Sequence, residues 1–455
     1  MCGITGIFDR TSENISEVAV RKAVNAIRHR GPDGDDIWCE DNIGLGHSRL
    51  AIIDLSDAGS QPMMSKCGRY VLVYNGEIYS SASLKCELRA KGYEFRGTSD
   101  TEVVLNSLIE WGEGAIKRFN GMFAFALWDR KKRELLLSRD RYGIKPLYYS
   151  LSGNTFRFGS EQRAICALSD RRYQVDTEGL YEYFTFQNLF SGKTFLKGIT
   201  LLKAGHYIRV REGELNMIRE VQYWDFCFKE PDKKVDEREY IEEMQRLVHQ
   251  AVRRQCISDV EVGCYLSGGI DSGTVSGLAS REVDNLKTFT CGFDLSSAEG
   301  MELGFDERAV ADKLSGIFGT QHYSVTLKSG DMERALSPVV ESLEEQRVGQ
   351  CYPNYYTAEL ASKFVKVVLS GCGGDELFGG YPWRYYRGTQ SKDFNTYVDN
   401  YYQYWQRLAN NKTLNRMFSP VKTQIKDVWT LDIFRGVFPD RMKNPETRED
   451  YINLS

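Results

Sequence analysis

Between Val262 and Tyr381 the sequence twice drives a short apolar run straight into a glycine-rich loop, and no other feature restricts the fold as much. Val262–Leu266 leads into Ser267–Ser272, after which Gly273–Ala279 offers a small-residue helix start. Lys366–Leu369 leads into SGCGGDELFGGY, ending at Tyr381, and Lys287–Phe293 is a third short run between them. Such runs suit strands buried on both faces, which predicts a parallel, doubly wound α/β sheet with ligand loops at its carboxyl edge. Glycines let backbone N–H groups reach phosphate oxygens, and a following helix turns its positive end toward them. Ser267 and Ser272 add hydroxyl donors, and Asp271 suits a Mg²⁺ ion that carries pyrophosphate, with Asp375 and Glu376 as further oxygen ligands. The spacing GxxxxGK[ST] is absent, so the loop is not of the Walker type. Taken alone, a glycine-rich turn is also no more than a tight turn.

The first 210 or so residues read differently, as short strands with few helices. Strand candidates are Gly3–Phe8, Tyr70–Tyr74, Met122–Trp128, Glu134–Ser138, Pro146–Tyr149 and Thr155–Phe158. Polar and glycine turns between several of them favour hairpin pairing. One helix is clear, because Val20, Ala23, Val24 and Ile27 recur at helical spacing. The charged stretch at 230–236 is a linker candidate, and Ile241, Met244, Leu247, Val248, Ala251 and Val252 then define one face of a second helix. The expected organisation is a domain over 2–210, a linker over 211–236 and a second domain over 237–455.

Composition narrows the chemistry. A net charge of −4 without long charged runs gives no reason to expect a nucleic-acid partner. No apolar run is long enough to span a bilayer, and the N-terminus lacks the pattern of a signal peptide, so the expectation is a cytoplasmic enzyme without a membrane partner. Eleven cysteines are scattered without a CxxC pair and only five histidines occur, which argues against a zinc site or a disulfide framework.

The N-terminus offers a different nucleophile. Removal of Met1 would leave Cys2 with a thiol and a free α-amine on one residue. An α-amine titrates near ~7.7–8 and can take the thiol proton, and a thiolate attacks acyl carbon readily. A second-position cysteine by itself is equally an accident of sequence. Three further segments bear on it: RHRGPD at 28–33, GHSRLAII at 46–53 and YNGEIY at 74–79. Asn75 and Gly76 at a strand end can pair a side-chain amide with a bare backbone N–H, which suits a tetrahedral oxyanion. The same dipeptide is also a type I′ hairpin turn. Asp100 offers a carboxylate for a substrate ammonium, and it also reads as part of an ordinary helix start.

MCGITGIF, RHRGPD, GHSRLAIIDLS, YNGEIY, SDTEVVL, GMFAFALWD and SRDRYGIKPLYY, in that order over roughly residues 2–165, resemble the class II glutamine amidotransferase domain. LSGGIDS, TFTCGFDLSS, FDERAVADKL and VLSGCGGDELFGGY resemble the pyrophosphatase-type ATP domain of glutamine-dependent asparagine synthetases. The resemblance implies an α+β N-terminal nucleophile fold, layered αββα, followed by a partial doubly wound ATP-pyrophosphatase domain. It implies Cys2 as nucleophile, Asn75 and Gly76 as oxyanion hole, and Arg49, Leu50, Ala51, Ile52, Ile53, Glu77 and Asp100 around bound glutamine. It places ATP against Leu266, Ser267, Gly268, Gly269, Asp271, Ser272, Cys291, Ser370, Gly371, Asp375 and Tyr381, with Mg²⁺ on Asp271 and Asp375. The implied reaction hydrolyses glutamine, adenylates aspartate and passes ammonia through an internal tunnel to give asparagine, AMP and pyrophosphate. A homodimer is a further expectation.

Two departures qualify that expectation. The family usually carries an acid at the third position of the SGxG loop, where this chain has Cys372. The sequence also stops at Ser455 without the basic helical segment and EARVPF-like motif of the family, so a C-terminal truncation is expected. Amidation of another carboxylate, glutamine hydrolysis alone, and a non-catalytic nucleotide-binding remnant are the alternatives.

Overall fold

A computed structural model describes residues 1–10, 14–213, 218–227, 235–296, 304, 306–344, 351–382, 386, 390–406, 408–425 and 430–438. Residues 214–217 and 228–234 of the expected linker lie outside the described residues. Contacts divide the chain into two units: Met1–Gln174 with Leu196–Val260, and Val175–Phe195 with Glu261–Ser455.

The first unit is built on β1 (Gly3–Asp9), β2 (Gly34–Glu40), β3 (Ile43–Arg49), β4 (Met63–Met64), β5 (Tyr70–Ile78), β6 (Gly121–Asp129), β7 (Glu134–Arg139), β8 (Tyr148–Ser152), β9 (Thr155–Gly159), β10 (Thr200–Leu201), β11 (His206–Arg211) and β12 (Glu220–Gln222). They form two antiparallel sheets, ordered β10-β8-β9-β1-β3-β2 and β12-β11-β7-β6-β5-β4. Period-two alternation assigns each strand face to a layer. Val71 and Val73 of β5 join Ala124, Ala126 and Trp128 of β6 in a core shared with Ile4, Phe8, Ile43, Leu45 and Phe158 of the other sheet. The opposite face, with Leu72, Tyr74, Phe123 and Phe125, packs on Leu84 and Leu88 of helix Ser81–Ala90 and on Val104 and Leu108 of helix Asp100–Trp111. Behind β1, Ile7 packs on Val20 and Ala23 of helix Glu17–Ala26. The layers therefore run helix, sheet, sheet, helix.

Several expectations shift. The strand expected over Tyr70–Tyr74 continues to Ile78, so Asn75 and Gly76 lie within β5, opposite Ala124 and Phe123 of β6, and do not form a hairpin turn. Glycine is needed there, because a Cβ on Gly76 would collide with the carbonyl of Met122. Residues 50–53 form a loop after β3, and the unit carries more helices than the sequence suggested. In helix Glu237–Gln255 Val252 is buried, but Ile241, Met244 and Leu247 are 43%, 45% and 48% exposed, so most of its apolar face is open.

In the second unit β13 (Val262–Tyr265), β14 (Lys287–Phe293), β15 (Gln321–Leu327) and β16 (Val367–Leu369) form a parallel sheet ordered β15-β14-β13-β16. Three of these strands were expected, while β15 was not. The chain steps from β13 outward through β14 to β15, then returns to place β16 on the other side of β13. The order reverses there, and the crevice at the carboxyl ends of β13 and β16 is the place where open α/β sheets bind ligands.

The contact division differs from the expected boundaries at 210 and 236. Helix Thr177–Phe186 belongs with the second unit, where Phe186 packs against Tyr397, Tyr401, Tyr402 and Phe434. Tyr181 and Phe184 pack near Leu414 and Phe418. The aromatic side chains of the C-terminal segment find partners on this distant stretch, while Leu408 and Met417 are exposed.

Candidate active site

One cleft of the first unit gathers residues from four separate segments. Met1 and Cys2 precede β1, Arg49 closes β3, Leu50–Ile53 form the next loop, Asn75–Glu77 belong to β5, and Asp100 begins a helix. All of them line the same cavity.

Cys2 is fixed from both sides. Its Sγ accepts a hydrogen bond from Leu50 N at 3.3 Å and lies 3.6 Å from Leu50 O. Its carbonyl accepts from Arg30 Nε at 3.0 Å, and the Arg30 guanidinium is itself held by Glu161 at 2.8 Å. Ile4 N donates to Ser160 Oγ at 3.0 Å, which anchors the start of β1. Burial pushes the Cys2 thiol up, and it pushes the α-amine beside it, at Met1, down to about 6. An amine lowered in this way is neutral over most of the physiological range and available as a base.

Asn75 is 1% exposed, and its Nδ2 finds no acceptor among the described residues. A buried amide donor left unpaired costs roughly 1–3 kcal/mol, so this one has a reason to receive an acceptor. Asp100 accepts from Tyr74 Oη at 2.8 Å and Ile78 N at 3.0 Å. Burial nevertheless raises its carboxyl to about 6. Burial, and then the nearby Asp100, raise Glu77 to about 7.

Arg49 donates to the carbonyl of Ser56 at 2.9 Å and to that of Asp54, which sets its guanidinium at the cleft wall. That loop is secured in turn. Asp54, at φ 57°, accepts from Thr98 N at 2.7 Å, and its own N–H donates to Asp259 Oδ2 at 2.7 Å. Asp259 N donates to Ile52 O at 3.0 Å, and Ala51 N donates to Asp33 Oδ2 at 2.9 Å. Ser99 caps the helix that Asp100 begins, as the helix-start reading expects, and Asp100 also lines the cleft.

In the second unit the two glycine loops touch. Ser267 Oγ and Ser272 Oγ are 2.8 Å apart, and Gly269 N donates to Ser267 Oγ at 3.1 Å, which shapes the turn into helix Ile270–Ala279. Gly371 has no room for a Cβ against the backbone of Asp271 and Ser272. The Asp271 carboxylate sits where a Cβ on Gly374 would stand, beside Asp375. Among the described residues no group of three metal-binding side chains forms. Two carboxylates on facing loops fit Mg²⁺, which takes few protein ligands and keeps phosphate and water oxygens. Cys291 is half-buried on β14, Cys372 is exposed with its N–H bonded to Ser370 Oγ at 3.2 Å, and Tyr381 Oη lies 3.4 Å from Glu376.

Residues 1–224 match the family model for a glutamine amidotransferase domain and residues 243–448 that for asparagine synthase. A putative glutamine-hydrolysing asparagine synthetase of Methanocaldococcus jannaschii is 34% identical over 98% of this chain and 86% of its own length. The chain belongs to the glutamine-hydrolysing asparagine synthetase family. An asparagine synthetase of Bacillus subtilis is 35% identical over 84% of this chain, which spans 64% of that protein. An amidase of Gibberella zeae is 32% identical over 84% of this chain, which spans 59% of it.

Against that family background, the cleft brings together every glutamine-side residue expected from the sequence, and the touching loops bring together Asp271, Ser272, Gly371 and the neighbourhood of Asp375. Sequence reasoning passed over Arg30, Lys145, Tyr74 and Asp259. Arg30 and Lys145 lay inside the quoted motifs RHRGPD and SRDRYGIKPLYY, a signal that could have found them. Nothing local marks Asp259.

Proposed function

We propose that the first unit hydrolyses glutamine at Cys2, and that the second uses ATP to activate a carboxylate, aspartate in the leading reading, for amidation to asparagine. The observation that carries the first half is the unpaired Asn75 amide in the same cleft as the Cys2 thiol. With Met1 removed, the Cys2 amine takes the thiol proton and Sγ attacks the side-chain carbonyl carbon of glutamine. Asn75 Nδ2 and the Gly76 N–H receive the oxyanion. Collapse breaks the C–N bond, and the proton held by the amine leaves with ammonia. Water then cleaves the thioester to glutamate and restores the thiol. Arg49, with donors beyond the two it spends on its loop, takes the glutamine α-carboxylate, and Glu77 and Asp100 face its ammonium.

In the second unit the Ser267–Ser272 turn and the start of helix Ile270–Ala279 receive the ATP phosphates. Asp271 and Asp375 would hold Mg²⁺, which neutralises charge on the departing pyrophosphate. The neighbouring glycines keep backbone N–H groups close enough to reach phosphate oxygens. A second reading, glutamine hydrolysis without amidation, is favoured by Cys372, since a thiol stands where the family usually has a carboxylate. The relatives include both asparagine synthetases and an amidase, so the acceptor acid is tested directly. ATP–pyrophosphate exchange across a panel of carboxylic acids should rise with aspartate, while Cys2→Ala abolishes ammonia release from glutamine. Exchange with no acid tested favours the glutaminase-only reading, and ammonia release that survives Cys2→Ala removes the nucleophile.

A further inference from the structure

Lys145 lines the cleft together with Cys2, Asn75 and Glu77, yet the chemistry above gives it no part. Its backbone is held rigidly. Lys145 N donates to Asp140 Oδ2 at 2.9 Å, its carbonyl accepts from Arg139 Nε at 2.9 Å, and Tyr142 N and Ile144 N both donate to Asp140 Oδ1 at 3.0 Å. The turn thus wraps around one buried carboxylate and presents the lysine stem to the cleft. Among the described residues the hydrogen-bond partner of its Nζ is the sulfur of Met1, at 3.3 Å. A thioether is a weak acceptor for an ammonium ion. That partner also belongs to the one residue whose removal the proposed reaction requires.

We propose that the Lys145 ammonium, released when Met1 is removed, turns to the Cys2 α-amine and thiol and keeps that amine in its neutral, proton-accepting form. The inference deepens the reading of Cys2 as the glutamine nucleophile and rests on it. The physical cause is charge placement in a cavity with little water, where a second positive charge disfavours protonation of a neighbouring amine and favours a thiolate. While Met1 is present the terminal amine is that of Met1: burial lowers it most, Arg30 and Lys145 lower it further, and Cys2 and Asp33 oppose them. Burial, and then Arg30, act against the charge of Lys145, while Glu77, Asp140 and Cys2 support it. The thiol is faced by the amine, Asp100 and Lys145, and Lys145 favours the thiolate. Lys145 is a positioning residue in this scheme, since it sets the proton on the base and leaves bond formation to Cys2.

The test compares wild type, Lys145→Met and Lys145→Arg as full-length chains that mass spectrometry shows to start at Cys2. Without the neighbouring cation the amine holds its proton to higher pH. The acid limb of kcat/KM for glutamine hydrolysis should therefore move up by about half a pH unit or more in Lys145→Met, with about a threefold or greater loss on that limb. Lys145→Arg should keep the wild-type limb. Cys2 alkylation by iodoacetamide, followed against pH without glutamine, should show its midpoint moving up in Lys145→Met. A purely structural lysine would lower the amplitude and leave both positions where they are. An unmoved limb together with an unmoved alkylation midpoint overturns the proposal, as does a wild-type chain that retains Met1. If wild type releases no ammonia from glutamine, the glutaminase reading fails while the alkylation midpoint still decides the role of Lys145. Should Lys145→Met not fold, Lys145→Gln carries the same comparison.

Discussion

Around Cys2 the polar groups are enclosed: Asn75 is 1% exposed, Asp100 7% and Tyr74 2%. At the glycine loops of the second unit Gly269 is exposed, and Ile270, which opens the helix, is 82% exposed. The first region carries its electrostatics before any substrate arrives, with carboxyls raised toward neutrality and an amide donor kept dry. The second offers a glycine backbone and acids whose charges a nucleotide and metal would complete. Enclosed groups respond strongly to pH and to single-atom changes, because each is already desolvated. Open loops respond chiefly to loss of the ligand's own contacts.

The sharpest way to break this comparison is a reciprocal pair of substitutions. Asn75→Ala should lower kcat for ammonia release by about 10²–10³-fold. It should leave acid-dependent ATP–pyrophosphate exchange near wild type. Asp271→Asn should do the reverse, lowering exchange by about a hundredfold while glutamine hydrolysis persists. Loss of both activities in either variant would show that the two regions do not work as separate sites.

A smaller effect separates the regions by pH. Glu77 is raised to about 7 from 4.5 and Asp100 to about 6 from 3.8, each mainly by burial. The folded state therefore binds more protons than the unfolded chain between about pH 4 and 7, and stability falls as pH rises through that window. Glu77→Gln removes the group with the higher folded value. The variant should gain about 1–3 kcal/mol relative to wild type at pH 8 and little at pH 4, read by denaturant unfolding. It should also bind glutamine more weakly. Equal stability differences at both pH values would mean that the cleft is not the desolvated region described here.

How much of this was legible beforehand differs between the regions for physical reasons. The glycine loops of the second unit are local: apolar strand, glycine turn and helix start follow one another in sequence, and so three strands of the parallel sheet could be read directly. In the first unit glycines misled. Gly44 and Gly46 stand in β3 because Val20 and Val24 of the helix behind it occupy the space a Cβ would need. In sequence the same glycines argue against a strand. Asn75 and Gly76 end the apolar pattern of β5, yet pairing with β6 carries the strand on to Ile78. Arg30 acquires its meaning only from Glu161, 131 residues away. The segment around Phe186 becomes part of the second unit only through aromatic partners near Tyr402 and Phe434. Composition and periodicity report a residue's neighbours along the chain, and these assignments depend on neighbours across it.

The smallest expected effect concerns helix Glu237–Gln255, whose sequence pattern and exposure disagree. Its apolar positions have the spacing of a core-facing helix, but Leu247 is 48% exposed and Met244 45%. If that face is open in solution, Leu247→Gln replaces one good helix former with another and loses little buried apolar area. The stability change should then stay within about 0.5 kcal/mol, as for ordinary surface positions. The enclosed core between the sheet and its helices predicts the opposite for a comparable apolar loss: Leu72→Ala, at a fully buried position of β5, should cost about 2–5 kcal/mol. Measuring both by the same denaturant titration makes each the control for the other. A loss above about 2 kcal/mol at Leu247 would mean that the face is covered and that its helical spacing, not its exposure, reports its environment.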